Sequence, residues 1–163
     1  MAAMTTSETT TRETRLNPSR VPLTAAVLGA AGALPFIGLL IAQRWGVEPF
    51  GRAPLGVLAL YAAVILSFMG AVHWGLAMAE FGGRRDTTWS YIMSVMPALL
   101  GWFALAFLPM PVALGVMAFG FALLLLYDLR ALRLGRAPAW YGRLRWPLTL
   151  VVVPCLLAAI VMG

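Results

Sequence analysis

The chain has 163 residues, of which 61% are hydrophobic and 11% charged, with a formal net charge of +6 carried by twelve arginines and no lysine. Soluble domains run nearer to about 45–50% apolar and about 25% charged, so this balance excludes a water-soluble fold able to cover its own surface. The single cysteine, Cys155, excludes an internal disulfide and a multi-cysteine metal site.

Residues 1–20 are rich in Thr and Ser, carry Glu8 and Glu13, and lack the apolar centre of a secretory signal. A disordered cytoplasmic tail is expected there. Five apolar runs follow, at about 22–43, 55–79, 89–108, 112–132 and 147–162. Most are near the ~20 residues that carry a helix across ~30 Å of hydrocarbon. The expected fold is therefore all-α: one membrane domain over 21–163, a polytopic bundle of five transmembrane helices.

Arginine sets the expected orientation. With five crossings, only Arg44 and Arg52 fall on the side opposite the N-terminus, and the other ten fall on its own side. The positive-inside rule then predicts a cytoplasmic N-terminus and a C-terminus across the membrane. Because the arginines sit at span ends, their expected contacts are anionic lipid headgroups rather than nucleic acid.

Small residues recur four apart in helix one (Ala25, Gly29, Ala33) and helix two (Ser67, Ala71, Gly75, Ala79). Such stripes let backbones approach closely, so helices one and two are expected to form the tight core. Pro54 and Pro111 sit in first turns, where a missing N–H costs nothing. Pro35, Pro97 and Pro154 lie inside helices one, three and five, where each frees a carbonyl that neighbours must satisfy. The aromatics predict interface belts, with Trp45 and Phe50 at one boundary and Phe81, Trp89, Trp140, Tyr141 and Trp146 at the other. The arginine–aromatic segment Leu134 to Trp146, with Trp140, Tyr141, Arg143 and Arg145, is expected to lie flat in the headgroup layer as an interfacial strap.

Polar side chains in the spans gather toward the arginine-rich side, and any ligand cavity should open there. The candidate polar site is His73, Trp74, Ser94, Tyr127 and Asp128. His73 and Asp128 are the titratable groups expected to be buried, each needing a partner because a charge in the span costs at least ~2.5–3.5 kcal/mol. The two could satisfy each other, or turn to Arg130 or the helix-three serines. No nucleophile–histidine–carboxylate spacing, paired metal ligands or phosphate-binding glycine loop is readable, so no catalytic residue, metal or cofactor is expected.

Three stretches carry a family resemblance: Leu28 to Phe36, Ile65 to Gly75 (ILSFMGAVHWG), and Pro138 to Thr149 (PAWYGRLRWPLT). Together they resemble domain-of-unknown-function family 3429, the family that includes transmembrane protein 69. The resemblance implies a small bacterial inner-membrane protein, with relatives in the mitochondrial inner membrane, and no established activity. On the family pattern the positions to watch are His73, Trp74, Gly75, Trp140, Tyr141, Arg143 and Arg145.

Three functions compete. The first is a non-catalytic accessory or assembly component of an energy-transducing membrane, working against a membrane-protein partner or a second copy of the chain. The alternative is a small-molecule binder or transporter whose polar pocket surrounds His73; it requires a cavity that reaches this residue. The third is an enzyme acting on a lipid or quinone, with His73 as base and Asp128 orienting it; it requires the two within hydrogen-bond reach.

Overall fold

Each apolar run folds as one helix in the computed structural model, which describes residues 20–79 and 88–163, with Phe50 as backbone only. The helices are α1 (Leu23–Trp45), α2 (Pro54–Ala79), α3 (Thr88–Phe107), α4 (Met110–Arg133) and α5 (Ala139–Met162), with one 3₁₀ turn at Pro49–Gly51. At ~1.5 Å per residue the shortest, of 20 residues, is about 30 Å long, and all five are long and apolar enough to span a membrane. The expected tail up to residue 19 and the loop 80–87, with Phe81, Arg84 and Arg85, lie outside the described residues.

The ends of these helices follow from local chemistry. Gly46 and Gly135 both adopt a left-handed φ of 67°, which a side chain would resist. Each closes its helix by returning amide bonds to the last turn: Gly46 and Val47 to Gln43 and Ala42, Gly135 and Arg136 to Leu132 and Ala131. Pro22, Pro109 and Pro138 stand immediately before α1, α4 and α5. At the far end of α5, Gln43 Nε2 donates to the Met162 carbonyl at 3.3 Å and satisfies one of its terminal acceptors.

The helices form a ring in chain order, closed by α1 against α5, and α2 and α4 also touch across it. At the centre lie Phe36, Leu58, Leu66, Met117, Phe121 and Leu156, none more than 2% exposed. Phe36 meets Tyr61 and Phe121 edge-on, with centroids 5.1 and 6.3 Å apart. Large apolar side chains such as Leu23, Phe68, Trp102, Phe119 and Val161 point outward, as the lipid face of a bundle requires.

Two expectations about packing are corrected. The tightest pair is α2 with α3, not α1 with α2. At that crossing Gly70 presses on the Ser94 carbonyl, 2.6 Å from where a β-carbon would stand, and Gly101 presses on Ala63. The stripe Ala71, Gly75, Ala79 is exposed, with open space beside Gly75, because the inward face of α2 is Leu66, Gly70, His73 and Ala77. Gly29 of α1 packs against Leu144 and Leu148 of α5 instead.

The other correction concerns the strap. Residues 139–146 are the first two turns of α5, which runs unbroken through Pro147 to Met162. Pro138 starts this helix, and Tyr141, Arg145 and Thr149, four apart on one face, all turn inward. Pro147 costs α5 one backbone bond on an exposed turn. Near Pro35, which leaves a gap in the hydrogen bonds of α1, the Tyr61 hydroxyl donates to the Gly32 carbonyl at 2.9 Å.

Candidate functional site

Asp128 is fully buried near the arginine-rich end of α4, and three helices supply its surroundings. From α5, Arg145 Nε donates to Oδ2 at 2.5 Å, and the Tyr141 hydroxyl donates to Oδ1 at 3.4 Å. From α2, His73 Nε2 stands 2.8 Å from Oδ1. This last contact is close, but the ring nitrogen is not aligned for a hydrogen bond to the oxygen. It is an electrostatic neighbour rather than a directed bond.

The arrangement has a physical logic. A buried carboxylate needs a partner, and a buried guanidinium needs an acceptor. Arg145 is only 3% exposed, so each ion supplies what the other lacks. Its Nη1 points at the Met69 sulfur of α2, 2.7 Å away, while Nη2 and the Thr149 hydroxyl have no hydrogen-bond partner among the described residues. The cluster thus clamps α2, α4 and α5 together, with these two groups and His73 Nε2 left without a hydrogen bond among the described residues.

Beside the clamp lies a cavity of about 530 Å³ between the arginine-rich ends of α2, α3 and α4. Its walls include His73, Ala77, Trp89, Ser90, Met93 and Tyr127, and Arg130 and Arg136 border it. His73 stands between the two features, with its ring against Asp128 on one side and edge-on to Tyr127, centroids 4.6 Å apart, in the cavity wall. A second, almost wholly apolar space of about 460 Å³ follows the seam between α3 and α4.

Of the residues singled out from sequence, the structure brings His73, Tyr127 and Asp128 together. Trp74 and Ser94 stand apart: Trp74 is half-exposed and meets Tyr91 edge-on at 5.0 Å, and the Ser94 hydroxyl donates to the Tyr91 carbonyl of its own helix. Two residues assigned to the strap, Tyr141 and Arg145, belong instead to the buried cluster. Trp140 stays partly exposed beside Tyr141, and Arg143 is exposed. The spacing of Tyr141, Arg145 and Thr149 is the signal that points to an inward face. Among the described residues no three of His, Cys, Asp and Glu gather to hold a metal ion.

Comparison with known proteins places this geometry in context. The profile of the family described as "Protein of unknown function (DUF3429)" matches residues 21–161. Transmembrane protein 69 of Xenopus tropicalis is 34% identical over 143 residues, which cover 86% of this chain and 54% of that protein. The chain thus spans about half the length of this relative. No solved structure matches.

Proposed function

For a chain that belongs to the DUF3429 family, a multi-pass membrane protein with five helices around a buried ion cluster, we propose a binding role: it holds a small molecule in the cavity at the arginine-rich end of the bundle. The observation that carries this reading is that the cavity reaches His73, a 3%-exposed side chain backed by Asp128 and Arg145. A volume of about 530 Å³ lies within the ~300–1,000 Å³ typical of small-molecule sites. A bundle serving only as an accessory scaffold has no need of such a space, so the cavity favours binding over the assembly role.

The enzymatic alternative is weaker. His73 and Asp128 are within reach at 2.8 Å, but the ring is misaligned for the hydrogen bond that would orient a base. Arg145 already engages the carboxylate, which makes it an anchor. By the positive-inside rule the cavity opens toward the cytoplasm in a bacterial cytoplasmic membrane or, in a eukaryote, toward the matrix in the mitochondrial inner membrane.

Thiol accessibility tests the proposal. In a Cys155→Ser background, Ser90→Cys and Met93→Cys should react with water-soluble methanethiosulfonates, while Ala118→Cys in the core should not. Preference for an anionic over a cationic reagent should fall when Arg130 and Arg136 are changed to Gln. If the cavity positions are as inert as Ala118→Cys, no water-filled chamber exists and the reading is wrong.

A further inference from the structure

The two spaces adjoin. Met93 and Tyr127 line both the polar chamber and the apolar seam. From this shared pair the seam descends along α3 through Met96 and Leu99 to Phe103, and along α4 through Leu123 to Phe119. Ten residues of α3 at ~1.5 Å each make it about 15 Å long, half of a ~30 Å hydrocarbon layer. The chamber lies at the headgroup end, bordered by Arg130 and Arg136; the seam runs past the helix midpoints to Phe103, four residues short of the far end of α3, with nothing polar along it beyond Tyr127.

Resting on the binding role above, we propose that the ligand is a membrane lipid with an anionic headgroup. The headgroup sits between Arg130 and Arg136 in the chamber, and one acyl chain lies in the α3–α4 seam. Charge complementarity selects the head, because guanidinium pairs bidentately with phosphate or carboxylate oxygens. Length suits the tail, since a groove of about 15 Å below the chamber is within the reach of a single extended acyl chain. A free phosphate shares the headgroup chemistry but leaves the seam without an occupant. The seam exists because α3 and α4, although joined by a tight turn at Pro109, touch far less than α2 with α3 or α4 with α5. Their close approach is at Gly120, where a β-carbon would stand 2.8 Å from Leu100.

The test uses the full chain, delipidated in a neutral detergent and offered equimolar palmitoyl-lysophosphatidylglycerol and palmitoyl-lysophosphatidylcholine. Bound lipid is read by native mass spectrometry. At least fivefold preference for the anionic lipid is expected, falling to near parity in Arg130→Gln/Arg136→Gln. Leu123→Trp, at a half-exposed position in the seam, should reduce retention of both lipids severalfold. Arg133→Gln, at the same end but outside the chamber, should leave the preference unchanged. Circular dichroism confirms folding of each variant before it is scored. Equal retention of the two lipids overturns the proposal, and so does an equal loss in Arg133→Gln, which would mean general surface attraction. Binding of inorganic phosphate, with neither lipid retained, also overturns it while leaving the binding role standing. An inert chamber in the thiol assay removes both.

Discussion

Removing the Asp128 carboxylate isolates the energetics of the buried cluster. Asp128→Ala leaves Arg145 only 3% exposed and without its acid partner, with Met69 sulfur as the remaining contact. Breaking a buried ion pair from one side costs about 3–5 kcal/mol. Arg145→Met should cost less, about 1–3 kcal/mol, because His73 at 2.8 Å still faces the abandoned carboxylate. Asp128→Ala/Arg145→Met removes both charges and should cost only about 1–2 kcal/mol, the packing loss of an ordinary core change. The singles would sum to about 4–8 kcal/mol, so the cycle predicts a coupling of at least about 2 kcal/mol. Reversible unfolding of the full chain in mixed micelles titrated with dodecyl sulfate, followed by far-UV circular dichroism, measures all four species. Additive losses, or a cost below about 1 kcal/mol for Asp128→Ala, would refute the claim that this pair clamps the helices.

Two glycines on the same helix should respond oppositely. Gly70→Ala places a methyl 2.6 Å from the Ser94 carbonyl and 2.9 Å from the Pro97 ring, so it should destabilise by about 1–3 kcal/mol. Gly75→Ala meets nothing within 4 Å and should be neutral or stabilising by up to about 1 kcal/mol; the same unfolding titration reads both. Orientation is checked by adding single cysteines after residue 2 and after Gly163 in a Cys155→Ser background. An impermeant maleimide applied to intact cells should label the C-terminal site alone, and labelling of both from outside would refute the arginine-based orientation.

The spans were legible because lipid imposes a uniform demand: with no water for the backbone, each crossing must be a helix, and the apolar runs are hard to mistake. The start of α5 was not, because two prolines nine residues apart both suit a first turn, and the one nearer the apolar run, Pro147, draws the boundary. Arg145 fell with it, since an arginine at a span end is ordinarily a headgroup anchor. Its burial depends on Asp128, 17 residues earlier on another helix, and a pairing between helices leaves no periodic trace. The small-residue stripe misled for a related reason. Ala71, Gly75 and Ala79 have the spacing of a contact face, but the crossing with α3 is decided by Gly70, whose importance lies in what Ser94 and Pro97 place opposite it.

The order of synthesis gives the buried ion pair a further meaning. Asp128 emerges from the ribosome before Arg145, so for an interval the carboxylate has only the older His73 to turn to. A chain cut short ahead of α5 would leave this buried acid with His73 alone beside it and no guanidinium to balance its charge. Only when α5 arrives does the acid gain its guanidinium partner.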